Sequence, residues 1–262
     1  EQIAISRPKD ALVVEVDGQI AGAMFLQVFE GRKTKGGYLD VGFVVKKYRG
    51  RGIGRALYPA AIERLKEMDC DILSALVIDD NVASWKSLEN QGFGAPSLWE
   101  LIRFCGWGAA FALWLRTLFC LACGSRLWVN RPVKERSSFS ELWAFLWINM
   151  ALFLPGVLLR FRDRPGDLLN RLLAYPSLLL AGALFGGIGC LLVRGRWRFS
   201  LPRGGSLLSL LLNSFGVLFV RVGRWYPKAP EDSKTCRRAL GMQAVVEWVG
   251  LLLLFCAGAF VY

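Results

Sequence analysis

The chain reads as two classes joined end to end: a mixed α/β sheet domain over residues 1–98, and an all-α membrane region of four to five helices over residues 99–262. Three observations predict this. The stretch Tyr38–Leu57 (YLDVGFVVKKYRGRGIGRAL) runs from an apolar strand through a basic, glycine-punctuated turn into a helix. Charge is unevenly placed: residues 1–98 carry 13 Lys+Arg against 13 Asp+Glu, so the whole +12 excess falls in residues 99–262. Beyond Leu98 the chain turns into long apolar stretches separated by arginines, which lifts the composition to 54% hydrophobic and the mean hydropathy to +0.37.

The elements of the first part follow in order. Ala11–Val16 and Ile20–Phe29 are β-rich apolar runs joined by Asp17-Gly18, a hairpin signal. Gly31–Gly37 is a polar turn into a central strand ending at Val44-Val45. A helix from Arg55 to Met68 comes next, then a strand over Asp71–Ile78 and a helix over Ala83–Asn90. The predicted order is β-β-β-α-β-α, with little room for further elements before Ala11.

Strand, glycine turn and helix together form a phosphate-holding geometry. Unpaired amides of the turn and of the first helical turn converge on one spot, and the helix dipole adds positive potential there. Gly50, Gly52 and Gly54 let the main chain approach an anion, and Arg49, Arg51 and Arg55 surround the same place with charge. The turn is not a P-loop, because no Gly-Lys-Ser/Thr follows, and its glycines are too close together for the dinucleotide fingerprint.

The spacing Arg49-x-x-Gly52-x-Gly54 after a strand resembles the acyl-CoA pyrophosphate loop of the GNAT acetyltransferase superfamily. Downstream, Asn81-x-x-Ser84-x-x-x-Leu88-x-x-x-Gly92-Phe93 resembles that family's later helix and its closing Gly-Phe. The resemblance implies a GNAT-like mixed sheet whose N-terminal elements are short or absent, and direct transfer of an acetyl group from acetyl-CoA to an amine. It implies that the backbone at Val44 and Val45 binds pantetheine. The amides of Arg49, Gly50, Arg51, Gly52, Ile53, Gly54 and Arg55 would bind the pyrophosphate, and Asn81 the cofactor arm. An amine attacks only when neutral, so a base is needed. Asp40 on the central strand is the candidate, with Asp79 and Asp80 as further carboxylates; each also reads as a solvated strand-end acid. Many members place a proton-donating tyrosine where this chain has Leu88. Ser84, or Ser87, would then act through water, and Leu88 itself reads as helix packing.

In the second part, Phe104–Cys123, Leu142–Leu159, Leu172–Val193, Ser206–Val220 and Ala244–Tyr262 are apolar runs read as membrane helices. Trp99, Trp128, Trp143, Trp197, Trp225 and Trp248 fall toward segment ends, as an interfacial belt would. A buried soluble bundle is the competing reading. The basic loops read as flanking charge or as contacts to anionic lipid headgroups. Because the basic residues lie between apolar helices rather than on one soluble face, membrane lipid comes before nucleic acid as a partner.

The seven cysteines read as small buried hydrophobes rather than a disulfide framework, and the chain has no histidine, which removes histidine bases and histidine metal sites. No metal is expected. No cleavable signal peptide is visible at residue 1. Three functions remain open: a membrane-tethered N-acetyltransferase with an amine acceptor, a degenerate GNAT-like structural subunit of a membrane complex, and a membrane acyl carrier gated by CoA. The expected location is integral to a membrane, with the sheet domain on the acetyl-CoA side.

Overall fold

The computed structural model describes residues 3–6, 11–30, 35–122, 125–133, 136–161, 165–193, 195–201, 223–228 and 230–259. They divide into two compact units, one of residues 1–120 and 125–134, the other of residues 121–124 and 135–262.

The first unit is built on a six-stranded sheet of order β1-β2-β3-β4-β5-β6. The strands are β1 (Ile3–Ser6), β2 (Ala11–Val16), β3 (Gln19–Glu30), β4 (Lys35–Val44), β5 (Ile72–Ile78) and β6 (Ser125–Val129). All neighbours are antiparallel except β4 and β5. Asp17 and Gly18 close the β2–β3 hairpin with φ of 51° and 73°, the two left-handed residues of the turn that matches strand twist. β2 alternates half-buried and buried positions, so Leu12, Val14 and Val16 point into the core.

Helix α1 (Ile53–Glu67) covers the sheet with Ile53, Leu57, Ala61, Ile62 and Leu65, all buried. That spacing is one face of a helix, and each large aliphatic removed from water contributes about 1.5–3 kcal/mol. Helix α2 (Val82–Glu89) adds Val82 and Leu88, and α3 (Leu98–Ala122) follows.

Four expectations are corrected here. A short strand, β1, does precede Ala11, pairing Ile3–Ser6 with Val13–Val16. The first compact unit runs on to Lys134 rather than ending at residue 98, because β6 pairs Ser125–Val129 with Ser74–Ile78. Trp128 is no interfacial residue: it sits on β6 at 5% exposure, its ring stacked on Trp85 of α2 at 6.4 Å. The run Phe104–Cys123 is not one straight helix, since α3 breaks at Gly106 (φ 75°, ψ 164°).

The second unit contains α4 (Ser138–Phe161), α5 (Pro165–Leu191) and α6 (Ser233–Ala259), with a two-stranded sheet of β7 (Trp197–Ser200) and β8 (Arg224–Pro227). The small sheet is an addition to the expected all-α region. Trp197 and Trp225, expected in the interfacial belt, lie on its two strands and are half-buried. Helices α5 and α6 pack closely through glycines: a Cβ on Gly189 would lie 3.0 Å from Gln243 Cα. Phe199 packs edge-on against Phe145 and Trp225, whose indole donates to Ala183 O at 2.9 Å.

Three helices here are long and apolar enough to cross a membrane, over Ser138–Leu158, Gly166–Leu191 and Ser233–Ala257. Their outward side chains, among them Leu252, Leu253 and Phe255, are exposed in a way water would oppose. The described residues hold three candidate spans of the four to five expected, and Ser206–Val220 lies outside them.

Candidate functional site

β4 and β5 part company halfway along. Their pairing covers only Gly36–Leu39 against Ile72–Ala75, while β4 continues to Val44 beside β3. β5 meanwhile stays with β6 through Ile78. From Asp40 to Val44, one edge of β4 thus has no strand alongside it among the described residues. The parting coincides with an extra residue in β4: Met24 faces Gly42 and Leu26 faces Leu39, so Asp40 and Val41 together oppose Phe25. Val41, Gly42 and Phe43 are exposed at this wedge.

The strand ladder decides which main-chain groups face the wedge. Val45 donates its N–H to Ala21 O at 2.9 Å, so Val45 points toward β3 and its neighbour Val44 points the other way. Val45 O also accepts from Tyr48 N–H at 2.9 Å. Both polar groups of Val45 are therefore committed within the protein, whereas Val44 faces the open edge. There Val44 O accepts from Arg49 Nε at 3.1 Å.

Beyond Val45, a short 3-10 turn (Lys46–Tyr48) leads to the glycine corner. Tyr48 is buried, donates its hydroxyl to Gln19 Oε1 at 3.2 Å, and carries Lys47 and Arg51 over its ring at 4.6 and 5.5 Å. Gly50 (φ 83°) and Gly52 (φ 81°) take left-handed conformations that a Cβ would strain, and Gly52 is the residue from which α1 begins. The first intrahelical bond is Ala56 N–H to Gly52 O at 3.1 Å, so the amides of Ile53, Gly54 and Arg55 precede the ladder. No acidic residue occupies the first turn, and Arg49, Arg51 and Arg55 are exposed around it. Gly54 is different from its neighbours: it has no left-handed φ, and a Cβ there would meet nothing within 4 Å.

The structure brings the corner, the wedge and the end of β4 together. Asp40 and Ser84 have separate partners. Asp40 Oδ2, half-buried, accepts from Gln27 Nε2 at 2.7 Å. Asn81 caps α2, its side chain accepting from Ser84 N–H at 3.4 Å and its carbonyl from the same amide at 3.2 Å. The Ser84 hydroxyl is hydrogen-bonded to Tyr58 of α1. Burial pushes the Tyr58 phenol above its ordinary 10.0, and the bond to Ser84 opposes that rise. Among the described residues no hydrogen bond joins Asp40 to Ser84.

Tyr58 was not legible in the sequence, because its partner is one helix and one strand further on. The remaining candidates are used structurally. Leu88 is fully buried in the core, Ser87 Oγ donates to Ala83 O at 2.8 Å, and Asp79 pairs with Arg126 of β6 at 2.9 Å. Among the described residues no three His, Cys, Asp or Glu side chains gather as a metal site would require.

No curated protein matches the chain. Among solved structures, the NatC complex bound to Gag peptide and CoA is similar at 16% identity and TM-score 0.34, over 47% of this chain and 71% of that one. The ribosomal-protein-alanine N-acetyltransferase from Brucella melitensis is similar at 33% identity and TM-score 0.29, over 32% of this chain and 52% of that one. N-acetylglutamate synthase from Neisseria gonorrhoeae, complexed with coenzyme A and N-acetyl-glutamate, is similar at 19% identity and TM-score 0.35, over 49% of this chain and 29% of that one. The chain thus spans about half the length of the second and under a third of the third. Residues 1–93, with the open strand edge, the glycine corner and α1, match the model of the acetyltransferase (GNAT) family.

Proposed function

We propose that this chain is a membrane-tethered N-acetyltransferase that moves an acetyl group from acetyl-CoA directly to an amine. The observation that carries this reading is the continuity between the open edge of β4 at Val44 and the unladdered amides at the start of α1. A pantetheine arm has the alternating amides to pair with an exposed strand edge, and a diphosphate suits the helix N-terminus beside it. Val44 would pair with the arm, and the amides from Arg49 to Arg55 would hold the diphosphate, with Arg51 and Arg55 adding charge. Asn81 and Ser84, at the start of α2, would line the arm.

In the transfer, the amine nitrogen bonds the thioester carbon, the C–S bond breaks, and the amine gives up a proton. Asp40, half-buried where β4 bulges, would accept that proton, directly or through water. The departing thiolate takes a proton in turn. Ser84, tied to the Tyr58 hydroxyl, would relay it. The long apolar helices of the second unit would hold the domain at a bilayer, where the acceptor amine belongs to a membrane component.

The test has two stages. Acetyl-CoA should raise the melting temperature of the full chain, and Gly52→Glu should abolish the rise, since a ligand that binds only the native state must stabilise it. Thiol release from acetyl-CoA in the presence of candidate amines then reports turnover. Binding without turnover would favour the second reading, a structural subunit of a membrane assembly. Leu88 supports that alternative, being a buried aliphatic where many relatives are expected to carry a proton donor.

A further inference from the structure

We infer that α3 enters the bilayer from the side on which the sheet lies and does not cross it. The inference goes beyond acetyl transfer and rests only on the chain being held in a membrane.

Connectivity supplies the first step. The chain leaves the sheet at Gly94 and re-enters it at Ser125, the start of β6, whose last residue Val129 exchanges both main-chain hydrogen bonds with Gly94 at 2.8 Å. β6 then lies against β5 along its whole length, from Ser74↔Val129 to Ile78↔Ser125. A hydrogen-bonded open sheet stays on one side of a bilayer, because hydrocarbon cannot satisfy its edges. The intervening segment therefore begins and ends on one side, and any crossings it makes are even in number.

Length supplies the second step. Gly106 divides α3 into Leu98–Cys105 and Trp107–Ala122. At about 1.5 Å per residue these rise only about 12 and 24 Å, against a hydrocarbon core of about 30 Å. Two crossings would need about 40 helical residues. The segment can enter but cannot pass through and come back.

The surface of α3 supplies the third. Trp107, Phe111 and Leu115 lie on one face of the longer half at 68%, 56% and 51% exposure, while Ala110, Leu113 and Thr117 on the other face are buried. Trp99 stands edge-on to Trp107 at 6.0 Å, giving two exposed indoles where the helix bends. Indoles favour the headgroup boundary, and an apolar face beside them favours acyl chain. The start of the helix is fixed and polar: Ser97 N–H donates to Glu100 Oε2 at 2.7 Å, and Glu100 N–H donates to Ser97 Oγ at 3.0 Å. The occupant of the face is lipid, since the same chain continues into three helices long and apolar enough to span.

The full chain reconstituted in lipid vesicles tests this. In an Asn90→Cys/Pro132→Cys double variant, a membrane-impermeant thiol reagent should add either none or two adducts per molecule beyond those of the parent chain. One extra adduct per molecule would place the two flanks on opposite sides and overturn the inference. Nitroxides at Phe111→Cys and Leu115→Cys should collide severalfold more often with dissolved oxygen than with a water-soluble nickel chelate, relative to Asn90→Cys. Equal access to both reagents, as in water, or shielding from both, as under a protein partner, would equally overturn it. Loss of acetyl-CoA binding would leave these readings unchanged, so the two proposals fail separately.

Discussion

Arg49 lies along the open edge of β4, its Nε donating to the carbonyl oxygen of Val44 across 3.1 Å. The same residue belongs to the corner whose amides would hold a diphosphate, so one side chain touches both halves of the proposed site. The guanidinium is exposed, and its removal costs the fold little, within about 0.5 kcal/mol. For binding the expectation is opposite. Arg49→Glu should weaken acetyl-CoA at least about tenfold, since hydrogen bonds to charged groups contribute about 1.5–3 kcal/mol. Ligand-induced thermal shifts check this, and an unchanged affinity would remove Arg49 from the site.

The three glycines of the corner should behave differently. Gly50→Ala and Gly52→Ala force a Cβ into left-handed backbone at φ 83° and 81°, with an expected loss of about 1–2 kcal/mol in stability. Gly54→Ala sits in the first turn of α1 with open space around its Cβ, and should be neutral or stabilising by up to about 1 kcal/mol. Its effect should appear in acetyl-CoA affinity instead. Unfolding free energy and dissociation constant, measured on the same variants, separate the two outcomes.

Tyr58 gives a pH dependence. Its phenol is held above 10.0 in the folded chain, chiefly by burial. The native state therefore keeps a proton that the unfolded chain releases, so this contribution is intact below pH 10 and declines as pH rises from there through the folded pKa. Tyr58→Phe should flatten the fall in melting temperature between about pH 9 and 11. Ser84→Ala should cost about 1 kcal/mol by leaving the half-buried Tyr58 hydroxyl without this partner.

Trp128 tests whether β6 belongs to the sheet. Its ring is 5% exposed and stacked on Trp85 with planes 4° apart. Trp128→Ala should destabilise the first unit by about 3–5 kcal/mol, the range for a buried aromatic. A residue in an interfacial loop would lose far less, so calorimetry on the full chain distinguishes the two placements.

Gly189 tests the second unit. A Cβ there would lie 3.0–3.2 Å from the Gln243 backbone and Val246, so Gly189→Val must push α5 and α6 apart. A loss of about 1–3 kcal/mol is expected from overpacking. Gly241→Ala, on α6 with nothing near its Cβ, serves as the control and should not lower the melting temperature.

The contrast between what was legible and what was not follows the range of the interactions. The Asp17-Gly18 hairpin, the alternation of Leu12, Val14 and Val16, the α1 face and the glycine corner all rest on neighbours within a few residues, and local pattern encodes them. The corner was legible for the same reason, although α1 starts at Ile53 rather than Arg55. Strand β6 was not: Arg126 breaks its apolar pattern, and its charge pairs with Asp79, far upstream.

The sequence by itself determined a strand-to-helix glycine corner and a run of long apolar helices, because backbone conformation and hydropathy are set residue by residue. Only the tertiary structure decided which strand stands beside β5, that Val44 rather than Val45 faces the open edge, that Tyr58 meets Ser84, and that α3 leaves and rejoins one sheet. Each of those depends on which distant groups remain to be paired after the local ones are made, and a linear pattern does not carry that information.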